Sequence, residues 1–259
     1  MAEPPFYLEV SDEKAVFRAA WESGHALMLK GPTGVGKTRF VEHMAAQFGI
    51  SVITVSCHED LTSADLLGRH LLRGGDTEWM DGPLTRAVRQ GGICYLDEIV
   101  EARTDTTVAI HALTDHRREL YVERLGETLK APDSFMLVIS YNPGYQSILK
   151  DLKPSTRQRM VSIELDFPPS ALELEIVKRE SGIDEKLASD LVRLANAIRQ
   201  LDIPGLREVS STRSLIAAAD LVGKGLPARR AVQVSMISPL CDDGTVIKSL
   251  MEVVSTYID

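Results

Sequence analysis

The chain has little that would tie it to zinc, to a membrane or to nucleic acid. Its three cysteines, Cys57, Cys94 and Cys241, are scattered and odd in number, with no CxxC pair and no Cys/His cluster. That excludes a zinc site of ordinary spacing and points to a reducing cytoplasm. The six histidines, including His58, His111 and His116, show no ligand spacing either and read as structural or surface groups. No apolar run approaches the roughly 20 residues that span a bilayer, and the start, MAEPPFYLEV, lacks the basic-then-apolar order of an export signal. The expectation is a soluble, cytoplasmic protein. Basic residues are outnumbered, 29 against 37 acidic, for a net charge of -8. General attraction to phosphate backbones or anionic membranes is therefore not expected, and any bound anion must be held by a local site.

What is present suits a compact α/β protein: 44% apolar residues with 5% aromatic, and a length of 259 residues that fits one large domain plus one small. Short apolar runs alternate with helical patterns from His25 onward. HALMLK (from His25), SVITVS (from Ser51), GICYLD (from Gly92), FMLVIS (from Phe135) and MVSIEL (from Met160) are rich in Val, Ile and Leu, as strands buried on both faces must be. These predict a mainly parallel sheet covered by helices. After FPPS, Phe167 to Ser170, helical periodicity takes over, with Leu187, Leu191, Leu194, Ile198 and Leu201 at spacings of three and four. Pro168 and Pro169 mark the boundary, giving an α/β domain over 1–167 and a helical one over 168–259. Two insertions interrupt the first domain. One turns at Gly74-Gly75-Asp76 and the other near Gly126, and both read as hairpins.

GPTGVGKT, spanning Gly31, Pro32, Thr33, Gly34, Val35, Gly36, Lys37 and Thr38, follows a predicted strand and opens a predicted helix. The glycines let successive backbone N–H groups turn inward around a phosphate, and the helix N-terminus adds positive potential. Lys37 can reach the outer phosphates, while the Thr38 hydroxyl can ligate magnesium. Such a site needs a carboxylate at the end of a neighbouring strand. ICYLDE supplies Asp97 for the magnesium shell and Glu98 to orient and polarise an attacking water, although an Asp-Glu pair also simply ends strands. SYNPG places the Asn142 amide between Glu98 and the outermost phosphate, or serves as a turn, or both. No NKxD-type guanine-reading motif occurs, so ATP is preferred over GTP.

LKPSTRQRM then acquires a meaning. Charge that develops as a phosphoryl bond breaks needs compensation, and Arg157 or Arg159, just before the last core strand, could reach into the site of a neighbouring subunit. In that arrangement no subunit completes its own site.

With these motifs in place, the chain resembles the AAA+ ATPases over Leu27 to Leu165, with the phosphate loop after the first strand, YLDE on the third, SYNP on the fourth and RQRM before the fifth. It is more narrowly similar to the MoxR group, whose members carry a hairpin before the third strand and another before the fourth. CHEDLTSADLLGRHL, DGPLTRAVRQGGICYLDEIVEAR, LVISYNPGYQS and PSTRQRM look like the CbbQ/NorQ branch. The resemblance implies an AAA+ α/β core with a five-stranded sheet and two inserted hairpins, followed by a helical lid. It also implies a homo-oligomeric ring, usually a hexamer, with ATP and Mg2+ between protomers. Arg213 in SSTRSL falls where such lids carry a second sensing arginine, or is a helix-start arginine paired with a nearby acid. Arg159 occupies the family's finger position, here within Gln158-Arg159-Met160 where relatives carry an acid and an aromatic, so Arg157 also stays open. Members of this branch work with a von Willebrand A-domain partner. CbbQ-type proteins, with CbbO, reactivate Rubisco, which is the reading preferred here; NorQ-type proteins assist nitric oxide reductase assembly.

Two other classes compete with an ATP-driven remodeller. A nucleotide-gated scaffold would not need Glu98, Asn142 or the finger candidates. A nucleic-acid motor is disfavoured by the net charge and by the lack of a helix-turn-helix pattern or a GAFTGA-like loop. Trp79, near the first hairpin turn, is either a partner contact or the packing of that hairpin on its own domain.

Overall fold

The computed structural model describes residues 4–143, 152–201 and 208–258. In chain order the first part holds α1 (Glu13–Glu22), β1 (Leu27–Lys30), α2 (Lys37–Phe48), β2 (Val52–Ser56), α3 (Ser63–Leu67), β3 (Gly68–Arg73), β4 (Asp76–Asp81) and α4 (Pro83–Gln90). There follow β5 (Gly92–Asp97), α5 (Thr104–Ala109), β6 (Glu119–Val122), β7 (Glu127–Lys130), β8 (Phe135–Tyr141), α6 (Pro154–Arg157) and β9 (Val161–Glu164). The second part is helical: α7 (Ser170–Ser181), α8 (Glu185–Arg199), α9 (Thr212–Gly223), α10 (Ala228–Val232) and α11 (Gly244–Tyr257). No helix among the described residues is long and apolar enough to cross a membrane.

Each of the five apolar runs forms a strand of one sheet, in the order β2-β5-β8-β1-β9, and every neighbouring pair is parallel. Every residue of β8 is buried, as is each of β5 up to Leu96, which is why these strands show no polar alternation. The parallel arrangement puts all five carboxyl ends on one edge of the sheet. The register pairs Lys30 with Tyr141 and Leu96 with Ile139, so the loops after β1, β5 and β8 start side by side. Open α/β sheets bind ligands at that edge.

Both predicted insertions are antiparallel hairpins. β3 and β4 pair from Gly68 with Asp81 to Arg73 with Asp76. Their turn, Gly74 and Gly75, has φ of 61° and 98°, the left-handed pair that a two-residue hairpin loop requires. Leu72, near that turn, is 81% exposed. Trp79 is half-buried, donates to Asp81 Oδ1 at 2.6 Å and packs on the core that holds Leu66, Leu84 and Leu96, so it serves its own domain. β6 pairs with β7 from Glu119 with Lys130 to Val122 with Glu127.

The chain divides into two compact units. One runs to Gly31 and then from Lys37 to Leu165; the other takes Pro32–Gly36 together with Asp166 onward. In the second unit, Ala188, Leu191, Val192, Leu194, Ala195 and Ile198 fill the buried face of α8. Leu187 is only partly buried, and Leu201 corrects the periodicity: α8 stops at Arg199, and Leu201 lies beyond its cap, 37% exposed. A polar knot joins three helices of this unit. Glu173 of α7, fully buried, accepts both Nη groups of Arg199 of α8, each at 2.7 Å, and the Thr212 hydroxyl of α9 at 2.7 Å. The Arg199 guanidinium also donates from Nε to the Ser210 carbonyl at 2.9 Å and lies 3.9 Å over the Phe167 ring.

Candidate active site

The phosphate loop leaves β1 and becomes the first turn of α2, so the fold presents it at the carboxyl edge of the sheet. Gly31 donates its N–H to the Tyr141 carbonyl at 3.3 Å, tying the start of the loop to the end of β8. Lys37 is 8% exposed, and its Nζ donates to the Gly31 carbonyl at 2.8 Å, closing the loop on itself. Gly34 and Gly36 have φ of 75° and 103°. A Cβ added to Gly36 would meet nothing within 4 Å, so its φ alone calls for glycine there. Within the second unit, a Cβ on Gly34 would fall 2.5 Å from the Ser211 Cβ, so only glycine fits there. Left-handed glycines leading into a helix that opens with a buried lysine suit a polyphosphate.

Asp97 ends β5, and the first turn of α2 comes to it. The Thr38 hydroxyl lies 3.4 Å from Asp97 Oδ2. The other oxygen, Oδ1, accepts from Ser140 at 2.5 Å and from the Tyr95 hydroxyl at 2.7 Å. Burial, and then the charge of Asp97, pushes the Tyr95 phenol well above its usual range, so it stays a donor. With both lone pairs of Oδ1 engaged, Oδ2 is the oxygen left facing Thr38. That hydroxyl–carboxylate pair fits the outer shell of a magnesium ion held mainly by phosphate oxygens and water. Among the described residues no cluster of three or more His, Cys, Asp or Glu could hold a metal unaided.

Glu98 is exposed, and its backbone is left-handed, φ 56° and ψ 49°. For a residue with a long side chain this conformation costs roughly 1–3 kcal/mol and persists only where surroundings impose it. Its N–H donates to the Ser140 hydroxyl at 3.1 Å. Asn142 follows β8 directly and is half-buried; Gly144, in the same motif, lies outside the described residues. Thr38, Asp97 and Glu98 are thus linked through Ser140 and Tyr95, two residues that motif reading passed over. Period-two alternation does put Tyr95 on the face of Asp97, and Ser140 is a polar residue inside an otherwise apolar strand.

The arginines divide between two places: Arg157 and Arg159 belong to the unit that holds Asp97, whereas Arg213 sits beside the phosphate loop, its Cβ 3.6 Å from where a Cβ on Gly34 would fall. Arg157 ends α6 and is half-buried, while Arg159 follows it and is exposed. Arg159 pairs with Asp115 at 3.3 Å, and Asp115 also holds Arg117 at 2.6 Å. Hydrogen bonds from Arg117 keep the Asp115 carboxyl well below its usual range. The His111 ring nitrogen Nε2 lies 2.9 Å from the Thr156 hydroxyl, anchoring α6. Arg213 is exposed in the first turn of α9, whose cap is the Ser211 hydroxyl accepting from the Ser214 N–H.

Comparison with known proteins places this arrangement. Residues 26–160 match the family described as AAA domain (dynein-related subfamily), and residues 173–257 match CbbQ/NirQ/NorQ C-terminal. The chain is 56% identical to the denitrification regulatory protein NirQ of Pseudomonas aeruginosa, covering 98% of both chains. It is 57% identical to NorQ of Paracoccus denitrificans, covering 96% of this chain and 93% of that protein. For CbbQ of Hydrogenophilus thermoluteolus the identity is 52%, over 92% and 90%. Among solved structures, the RuvB Holliday junction branch migration motor of Thermotoga maritima shares the fold at 16% identity, with a TM-score of 0.56 over 94% of this chain and 68% of that one. A parallel five-stranded sheet with a phosphate loop, an Asp-Glu strand end and two hairpins, joined to this C-terminal region, makes the chain a member of the CbbQ/NirQ/NorQ family of AAA+ ATPases, in the MoxR group.

Proposed function

We propose that this ATPase is a ring-forming remodelling chaperone of the NirQ/NorQ type, which matures or activates nitric oxide reductase together with a von Willebrand A-domain partner. The observation that carries the choice of client is the identity of 56–57% to NirQ and NorQ along nearly the whole chain, against 52% to CbbQ. It reverses the preference for Rubisco drawn from motifs that both branches share.

The chemistry proposed is hydrolysis of ATP at the edge of the sheet. Lys37 and the loop N–H groups hold the phosphates, and Thr38 with Asp97 holds the Mg2+ shell. Magnesium, when bound, screens the phosphates and stabilises charge on the phosphoryl oxygens. Glu98 orients and polarises the attacking water, with Asn142 between it and the outermost phosphate. Arg159 enters the site of the adjacent protomer of a hexamer as the trans finger, ahead of Arg157 because it is the more exposed of the two. Arg213 reports the outermost phosphate to the helical unit.

The test is an affinity capture with the Glu98→Gln variant held in ATP, in a denitrifying host that also expresses Rubisco. Recovery of nitric oxide reductase subunits with a von Willebrand A-domain protein supports the reading. Recovery of Rubisco instead returns the client to the CbbQ type, and recovery of neither removes both.

A further inference from the structure

The water-orienting glutamate is held by a backbone conformation that its own sequence does not favour, and one buried hydroxyl touches both it and the metal-side aspartate. Ser140 is fully buried in β8, the strand beside β5. Leu96 pairs with Ile139, so Asp97 and Ser140 come next to each other on adjacent parallel strands. Its hydroxyl has one proton, given to Asp97 Oδ1 at 2.5 Å, and its oxygen accepts the Glu98 N–H at 3.1 Å. One side chain therefore fixes the Asp97 carboxylate and the first peptide after β5, the one that turns left-handed at φ 56°. Tyr95 shares the first task but not the second: its hydroxyl donates to Asp97 Oδ1 and also meets Thr38 and Ser140, whereas the Glu98 N–H goes to Ser140.

We propose that Ser140 is a positioning residue that couples the Asp97 carboxylate to the left-handed Glu98 peptide, so that the two acidic side chains of the site are set by a single hydrogen-bonded bridge. Without the bridge, the Glu98 N–H loses its acceptor and its backbone relaxes toward ordinary φ. The carboxylate that orients water then points elsewhere, while the phosphate loop is untouched. This rests on the water-orienting role of Glu98 in the proposed function.

Four readouts test it. Ser140→Ala should lower kcat for ATP by about 10- to 100-fold, the range set by one hydrogen bond to a charged or strained group, with KM moved less than about threefold. In the nucleotide-free protein, hydrogen exchange at the Glu98 amide should quicken at least about tenfold in Ser140→Ala and stay unchanged in Tyr95→Phe. Placed in a Glu98→Gln background, Ser140→Ala should add less than about a twofold further loss, because the Glu98 half of its task is gone and Tyr95 still holds Asp97 Oδ1. Ser140→Cys keeps the volume and weakens both hydrogen bonds; it must change exchange and kcat in the same direction, which covers poor folding of the alanine variant. Unchanged kcat, unchanged Glu98 exchange, or a full additional loss in the Glu98→Gln background overturns the coupling. Normal turnover of Glu98→Gln alone overturns the role of Glu98 instead, and the exchange measurement still decides whether the bridge exists.

Discussion

Removing the Glu173 carboxylate should destabilise the helical unit more than any other single change to its polar groups. Glu173 is fully buried and Arg199 is 10% exposed, so the pair cannot fall back on water. The carboxylate binds the guanidinium through both oxygens and takes the Thr212 hydroxyl as well, which ties α7, α8 and α9 together. In Glu173→Ala the guanidinium keeps the Ser210 carbonyl, the Asn196 side chain and the Phe167 ring but loses its counter-charge. Stranding one member of a buried pair costs about 3–5 kcal/mol. For a chain of this length that corresponds to a fall in melting temperature of roughly 6–20 °C. The pair itself need not be a net stabiliser, because its desolvation offsets much of its attraction. Glu173→Leu combined with Arg199→Met should therefore recover most of the loss. Urea unfolding of the three proteins, compared at equal m, measures both numbers. A cost below about 1 kcal/mol for Glu173→Ala, or a double variant no better than the single one, would refute the argument that an uncompensated charge is the cause.

Three further outcomes follow from the site and the finger. Lys37→Ala should lose nucleotide affinity, whereas Glu98→Gln should bind a fluorescent ATP analogue normally and hydrolyse ATP at least tens of times more slowly; equal affinity of Lys37→Ala and wild type removes lysine from the phosphate site. Mixing inactive Glu98→Gln with inactive Arg159→Ala subunits should restore activity at shared interfaces, and turnover independent of protein concentration would end the trans reading. His111 gives a pH signature: burial, then the charges of Arg159 and Lys153, lowers its pKa below the usual value. The unfolded chain takes up that proton first as pH falls below about 6.5, so stability drops from there until the folded imidazole protonates too. Melting curves between about pH 7.5 and 5.5 should fall less steeply for His111→Gln than for wild type, and equal slopes would remove this contribution.

Much of the architecture is legible in the sequence because its signals are local. Five apolar runs become five buried parallel strands, since a strand covered on both faces has no polar alternation to hide it. The hairpins show through Gly74-Gly75 and Gly126, where the turns need left-handed residues. Signals that depend on tertiary partners are not legible in this way. Leu201 continues the spacing of α8, yet the helix ends at Arg199, because nothing in hydrophobic periodicity encodes where a cap forms. Glu173, Arg199 and Thr212 are far apart in sequence and look like three unremarkable polar residues until packing joins them. Ser140 and Tyr95 lie within quoted motifs, but their value depends on which strand neighbours β5, a topological fact that no single segment carries. The client was the least legible element: the motifs that identify the ATPase are shared across the branch, and only whole-chain similarity favours NirQ and NorQ.

The central claim is that ATP hydrolysis at Glu98 drives maturation of nitric oxide reductase. Its most direct test is nitric oxide consumption by a denitrifying host deleted for its own NirQ- or NorQ-type gene and supplied with this protein. Wild type should restore consumption, while Glu98→Gln, made at the same level, should leave the reductase polypeptides present and inactive. Restoration by Glu98→Gln, or no restoration by wild type with the proposed von Willebrand A-domain partner co-expressed, would contradict the account.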